Sequence, residues 1–81
     1  IVSTMKKVTI YTTPTCTYCR MTKDFFKQNN ITYSEHNVAT DLDKRQEMLA
    51  KSQQMGVPVI TVDDEVIIGF DKERLSEALG I

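Results

Sequence analysis

The sequence predicts a single α/β domain in which strands and helices alternate along the chain. Stretches where apolar and polar residues alternate are separated by stretches with the three-to-four-residue spacing of an amphipathic helix. The 81 residues leave no room for a second independently buried core. With three Gly, two Pro and no biased tract, the composition is not that of a disordered or collagen-like chain. The predicted element order is βαβαββα.

The first strand and the first helix are separated by a proline. Residues 6–12 alternate apolar and polar side chains, with Val8 and Ile10 on one side, and therefore predict a strand. Pro14 ends that strand, because proline lacks the N–H that a ladder needs. Helical spacing then extends from 15 to 29. The predicted apolar face of this helix consists of Tyr18, Met21, Thr22 and Phe25, with Phe26 beside them.

A weaker strand and a second helix follow. Residues 31–38 predict the strand, because isolated apolar residues alternate there with polar ones. Thr40 and Asp43 resemble a capping box that opens a helix over 41–54. The apolar stripe of that helix is thin and consists of Leu42, Leu49 and Ala50, with Met48 nearby.

The C-terminal part of the chain predicts a hairpin and a last helix. Strands over 57–62 and 65–68 flank a two-residue Asp-Asp turn. Asp71 is the predicted N-cap of the last helix, and Gly80 ends it. The buried stripe of that helix is predicted to be Leu75, Ala78 and Leu79.

Charge and hydropathy argue against two classes of partner. Ten basic and eleven acidic residues give a net charge of −1, with no basic stripe of the kind that nucleic-acid binders carry. The longest apolar run, 57–62, is too short to span a bilayer. The first residues lack the pattern of a secretory signal, so a cytoplasmic location is expected. Residues 1–4 are interpreted as a cloning remnant or a disordered start, and 5–81 as the domain.

The two cysteines, Cys16 and Cys19, have three possible roles. A structural disulfide would close a very short loop, which stabilises little, and would have to persist in a reducing compartment. A structural zinc needs four ligands, and the sole histidine, His36, could add at most a third. A redox-active dithiol matches the C-x-x-C spacing directly when it lies on a βαβ pattern. The sequence favours the redox role.

The predicted junction between the first strand and the first helix gives the two thiols different tasks. Cys16 lies where the helix begins, so unpaired N–H groups and the helix dipole favour its thiolate. Cys19 lies one turn further in on the same face and is expected to be more buried. We therefore predict that Cys16 attacks a disulfide substrate and that Cys19 resolves the mixed disulfide.

Three segments together resemble the glutaredoxin family. They read I-Y-T-T-P-T-C-T-Y-C-R at 10–20, G-V-P-V-I at 56–60 and I-G-F-D at 68–71. The chain is most similar in type to the small glutaredoxin-like redoxins of bacteria and archaea, over 5–81. The resemblance implies a thioredoxin-like fold, a four-stranded mixed sheet flanked by helices. It also implies a thiol–disulfide oxidoreductase that takes part in electron transport and cell redox homeostasis.

The same resemblance implies a substrate site around the dithiol. Pro58 occupies the position of the family's cis-proline, and the backbone of Val57 would pair with an extended substrate. The family's loop for the γ-glutamyl end of glutathione is matched by Gly69, Phe70 and Asp71. Asp71 is expected to serve also as a helix cap. Two further candidates complete the expected site, Tyr18 lining the groove and Thr13.

Departures from the family pattern make glutathione specificity an open question. The basic residue that glutaredoxins often carry three positions before the first cysteine is Thr13 here, and the residue before the Val-Pro pair is Gly56. The expected partners are disulfide-containing client proteins and, as reductant, glutathione or a thioredoxin-reductase-type flavoprotein. A monomer without a tightly bound cofactor or metal is expected, with glutathione as a co-substrate. The alternative is a metal-binding or iron–sulfur module in which two chains pool their cysteines.

Overall fold

A computed structural model describes residues 6–81 and confirms the predicted order of elements. The expectation for residues 1–4 lies outside the described residues. The elements are β1 (Val8–Thr12), α1 (Thr17–Gln28), β2 (Ser34–Asn37), α2 (Leu42–Ser52), β3 (Val59–Val62), β4 (Glu65–Ile68) and α3 (Lys72–Leu79). Within the described chain, each helix is too short or too polar to cross a membrane.

The four strands form one mixed sheet in the order β2-β1-β3-β4. β1 is central, parallel to β2 and antiparallel to β3, while β3 and β4 form the predicted hairpin. Asp63 turns that hairpin with a φ of 54°, a conformation that Asp tolerates better than most residues. The expected four-stranded mixed sheet with flanking helices is therefore confirmed.

The two faces of the sheet are covered differently. The face under α1 and α3 holds the larger core, in which ten buried apolar side chains pack together. Phe26 of α1 and Leu75 of α3 are fully buried there against Ile10, Ile60 and Ile67 of the sheet. We call this side the α1–α3 face.

The opposite side, the α2 face, holds a smaller cluster of four buried residues. These are Tyr11, Val38, Met48 and Val59. Met48 is the one buried residue of α2, so the predicted stripe of Leu42, Leu49 and Ala50 is wrong. The reason is that α2 meets the sheet along one narrow line, and these three side chains lie on its water-facing sides.

Helix α1 buries a face rotated from the predicted one. Its buried residues are Cys19, Thr22, Phe25 and Phe26. Tyr18 and Met21, predicted on that face, are exposed, because the stripe that faces the sheet runs through Cys19 and Thr22 instead. Apolar identity alone therefore misplaced both side chains.

Two boundaries also differ from prediction. The chain between α1 and β2 closes the helix before it enters the sheet: the N–H of Ile31 donates to the carbonyl of Phe26 at 2.8 Å, and Asn30 has a φ of 57°. This is a Schellman closure, and it delays the strand to Ser34. Helix α2 is capped by Asp41, whose carboxylate accepts from the N–H of Lys44, so the predicted capping box was wrong.

Candidate functional site

Three strand ends meet at one edge of the sheet. β1 ends there at Thr12, β3 begins there, and β4 ends there at Ile68. Tyr11 pairs with Val59, so one further step in the register places Thr12 beside Pro58. The N–H of Gly69 donates to the carbonyl of Pro58 at 2.8 Å. The predicted site segments are therefore brought together by strand register.

A tight turn carries the chain from β1 into α1. The N–H of Cys16 donates to the carbonyl of Thr13 at 3.3 Å, which closes a four-residue turn with Pro14 at its second position. Proline suits that position because its fixed φ matches the turn. Thr13 is half-buried and contributes no charge to the site.

The cysteines form a disulfide across the first turn of α1, with their Cα atoms 5.2 Å apart. Cys16 is the N-cap residue, and its Sγ accepts a hydrogen bond from the N–H of Cys19 at 3.0 Å. Cys16 is partly exposed, whereas Cys19 is 1% exposed. The predicted position of Cys16 and the greater burial of Cys19 are confirmed.

Val57 and Pro58 lie between α2 and β3. The Val57–Pro58 peptide bond is cis, as the family resemblance predicted. Pro58 is buried, and the side chain of Val57 packs against the cluster on the α2 face. The backbone N–H and C=O of Val57 have no hydrogen-bond partner among residues 6–81.

The loop from β4 to α3 contains a glycine with a positive φ, followed by two residues whose side chains contact α1 and α3. Gly69 has a φ of 81°, which glycine adopts without steric cost. The ring of Phe70 lies 6.0 Å from that of Phe25 and packs on the α1–α3 face. Asp71 caps α3, and its carboxylate accepts from the N–H of Arg74 at 3.1 Å. The predicted capping role of Asp71 is confirmed.

Exposed apolar side chains occur in the segments next to the site. Tyr18 is 61% exposed and Ile68 is 51% exposed, and Met21 and Met55 are also exposed. Tyr18 and Met21 lie in the first turns of α1, Ile68 ends β4, and Met55 lies two residues before Val57. We call these four residues the apolar rim. The sequence analysis named Tyr18 as a groove residue and assigned none of the other three to the site.

A polar network beneath the site was missed by the sequence analysis. Glu35 of β2 accepts hydrogen bonds from the Thr12 hydroxyl at 2.8 Å and from Lys23 Nζ at 2.9 Å. Partial burial opposes ionisation of Glu35, but these bonds and the charges of Lys23 and Lys27 outweigh it and lower its pKa. The network ties the end of β1 to α1. No sequence signal connects residues so far apart.

The remaining titratable groups of residues 6–81 offer no candidate metal site. No group of three His, Cys, Asp or Glu side chains within 6–81 is arranged to hold a metal ion. His36 is half-buried, with its ring 5.6 Å from that of Tyr11.

Comparisons with known proteins agree with this geometry. The sequence model of the family described as Glutaredoxin matches residues 8–67. A glutaredoxin-like 8.6 kDa protein encoded in the rubredoxin operon of Clostridium pasteurianum is 43% identical over 89% of this chain and 96% of its own length. Glutaredoxin 3 of Escherichia coli K12 is 33% identical over 94% of this chain and 92% of its own. The crystal structure of the thioredoxin-like protein BC3987 superposes with a TM-score of 0.85, at 36% identity, covering 90% of this chain and all of that one.

Proposed function

Since this chain belongs to the glutaredoxin family of thiol–disulfide oxidoreductases, we propose that it reduces protein disulfides by cycling Cys16 and Cys19 between dithiol and disulfide. One observation carries the proposal: the two cysteines are bonded across the first helical turn, one partly exposed and the other buried. This asymmetry supports attack by Cys16 and resolution by Cys19.

The cycle transfers two electrons in two exchange steps. The Cys16 thiolate attacks one sulfur of the client disulfide, forms a mixed disulfide and releases the other client sulfur as a thiolate. The Cys19 thiolate then attacks Cys16 Sγ and releases the second client thiolate. The client gains two electrons and takes up two protons, while Cys16 and Cys19 become a disulfide. An external reductant returns both electrons.

The start of α1 favours the attacking thiolate. The Cys19 N–H that donates to Cys16 Sγ at 3.0 Å would donate more strongly to a thiolate at the same atom. The positive end of the helix dipole acts in the same direction. We therefore expect Cys16 to be largely ionised at a pH where a free cysteine is mostly protonated, and a titration of thiolate absorbance in the ultraviolet measures this.

Client proteins bind through backbone and apolar contacts in this proposal. The free N–H and C=O of Val57 can pair with one residue of an extended client segment, in the manner of strand addition. The apolar rim then covers the side chains of that segment. The chain acts as a monomer in a reducing cytoplasm, where such dithiols are kept reduced.

We favour a thioredoxin-reductase-type flavoprotein over glutathione as the reductant. Thr13 supplies no positive charge for a glutathione carboxylate, and Asp71 is already engaged as a helix cap. The apolar rim suits a protein surface better than a charged tripeptide. The backbone N–H of Phe70 remains available for glutathione as a slower co-substrate.

Substitution of each cysteine tests the assigned roles. We expect Cys16→Ser to abolish reduction of any disulfide and Cys19→Ser to retain activity on glutathione mixed disulfides, because that reaction needs the attacking thiol alone. Mass spectrometry of trapped intermediates should find the substrate on Cys16. Intermediates trapped on Cys19 would reverse the assignment.

Two coupled assays on one mixed-disulfide substrate test the reductant. One assay supplies glutathione with its reductase, and the other supplies a thioredoxin reductase. Faster turnover in the second supports the flavoprotein, and faster turnover in the first assigns the chain to glutathione. The alternative module predicts a dimer in freshly purified protein, with visible absorbance when it holds an iron–sulfur cluster, whereas the exchange cycle predicts a colourless monomer.

A further inference from the structure

Gln54 holds the backbone of Gly56 through both ends of its side-chain amide. Its Oε1 accepts from the N–H of Gly56 at 2.6 Å, and its Nε2 donates to the carbonyl of Gly56 at 2.9 Å. Both backbone groups of one residue are thus satisfied by one half-buried side chain, as a neighbouring strand would satisfy them. We refer to this pair as the Gln54 clamp.

The clamp is joined to the end of α2. The hydroxyl of Ser52 donates to the carbonyl of Met48 at 2.7 Å, and its oxygen accepts from Nε2 of Gln54 at 3.4 Å. Met48 is the buried residue that anchors α2 to the sheet. A short series of hydrogen bonds therefore runs from the core on the α2 face to Gly56.

Val57 lies between two residues whose backbone groups are held. Gly56 is held by Gln54, and the carbonyl of Pro58 is held by the N–H of Gly69. Among residues 6–81, the N–H and C=O of Val57 have no partner. The Gln54 clamp on one side and the Gly69–Pro58 hydrogen bond on the other fix the direction of these free groups before any substrate binds. Such preorganisation lowers the entropy lost on binding.

The identity of residue 56 fits the same account. A Cβ built on Gly56 would lie 2.7 Å from Oε1 of Gln54, closer than two such atoms can approach. Any larger residue must therefore displace the amide of Gln54. The hydrogen bonds of Gln54 therefore depend on the absence of a side chain at Gly56.

We propose that Gln54 is a positioning residue that directs the free backbone groups of Val57 toward a peptide-containing disulfide. This inference rests on the proposed function, since it assumes that such a substrate pairs with Val57. It assigns Gln54 to recognition of the substrate main chain, with no part in the exchange chemistry of the two cysteines.

Two substrates with the same leaving group separate main-chain recognition from thiol reactivity. The first is a short uncharged peptide whose single cysteine is disulfide-bonded to thionitrobenzoate. The second is 5,5′-dithiobis(2-nitrobenzoic acid), which has no peptide backbone. Reduced protein is mixed with each substrate, and the release of thionitrobenzoate gives second-order rate constants for wild type, Gln54→Ala, Gly56→Ala, the double variant and Gln46→Ala. Gln46 is an exposed glutamine of α2 whose side chain makes no hydrogen bond in the described chain, and it serves as the matched control.

We expect Gln54→Ala and Gly56→Ala each to slow the peptide reaction between about twofold and tenfold, the range that one or two hydrogen bonds supply. The reaction with the backbone-free substrate should keep its wild-type rate. The double variant should be no slower than either single variant, because both remove the same clamp. Gln54→Glu keeps the acceptor and loses the donor, and should give an intermediate rate.

Three outcomes would overturn the inference. They are a wild-type peptide rate in Gln54→Ala, equal slowing of both substrates, and additive effects in the double variant. A wild-type protein that reacts with neither substrate would instead overturn the proposed function. Wild-type reduction of the peptide with an unaffected Gln54→Ala variant would overturn the role of Gln54 alone.

Discussion

The two faces of the sheet support the two halves of the site in different ways. The α1–α3 face buries ten apolar side chains and holds α1, whose first turn carries both cysteines. The α2 face buries four residues and holds the helix that leads to Val57. The cysteine pair is thus supported by a dense apolar core. The segment that carries Val57 is supported by the single buried methionine of α2, Met48, and by a few hydrogen bonds. A packing defect on the α1–α3 face should therefore unfold the protein, whereas one on the α2 face should mainly increase the mobility of the segment around Val57.

Phe26→Ala on the α1–α3 face should have the largest effect. Removal of a fully buried phenylalanine costs about 3–5 kcal/mol, against a total of about 4–12 kcal/mol at 0.05–0.15 kcal/mol per residue. Urea unfolding monitored by circular dichroism measures the loss. Phe26→Leu preserves most of the volume and should cost about 1–1.5 kcal/mol. A loss below about 2 kcal/mol for the alanine variant would show that this core is less tightly packed than described.

Met48→Ala on the α2 face should destabilise the fold less than Phe26→Ala and impair substrate recognition more. We expect a loss of about 2–3 kcal/mol, at the lower end of the usual range, because α2 is solvated on its other sides and can settle onto the sheet. The rate with the peptide disulfide should fall, while the rate with 5,5′-dithiobis(2-nitrobenzoic acid) stays near wild type. Equal slowing of both substrates would contradict the proposed separation of the two faces.

Tyr11→Phe should have a smaller effect on stability. Tyr11 is fully buried, and its hydroxyl donates to Glu47, which links β1 to α2. We expect a loss of about 1 kcal/mol, the net contribution of one hydrogen bond, since Glu47 is partly exposed and can bind water instead. Tyr33→Phe is the matched control, because the hydroxyl of Tyr33 makes no hydrogen bond in the described chain. A thermal melt of both variants checks the difference.

The acid dependence contributed by Glu47 should be the smallest effect. The hydrogen bond from Tyr11, with the bond from Lys44 and the charges of Lys44 and Lys51, lowers the pKa of Glu47 from its ordinary value of 4.5. A carboxyl whose pKa is lower in the folded state stabilises the fold above the ordinary value, and this stabilisation is lost as the pH falls below about 4.5. The melting temperatures of wild type and Glu47→Gln should therefore converge between pH 5 and pH 3, roughly the window set by that ordinary pKa. If the difference between the two melting temperatures stays constant over this range, ionisation of Glu47 does not contribute to stability.

The sequence predicted those parts of the site that depend on local spacing. Pro14 and the C-x-x-C spacing placed Cys16 at the helix start and Cys19 one turn inside, because both follow from helix geometry. The element order and the role of Asp71 as the N-cap of α3 were also predictable, because both depend on local sequence patterns. The position of Val57 came from the family resemblance.

Contacts between distant segments were not predictable from one sequence. Glu35 and Lys23 come together because parallel pairing places β2 beside the end of β1. Tyr18 was assigned to the buried side because its ring is apolar, whereas the rotation of α1 is fixed by packing. The Gln54 clamp is local, yet a glutamine two residues before a glycine matches no established turn signature.

The sheet order also governs when the site comes into existence during synthesis of the chain. β1 is central, but its antiparallel partner is β3. Thr9 therefore has both of its strand neighbours, Ser34 and Thr61, only after β3 has been made. A nascent chain that ends before β3 already carries both cysteines but lacks β3, β4 and α3, against which α1 packs. We expect Cys19 to be less protected in such a chain than in the folded protein, where it is buried, and therefore to exchange more readily with a nearby disulfide. We therefore expect the dithiol to become selective only after β3, β4 and α3 have been made.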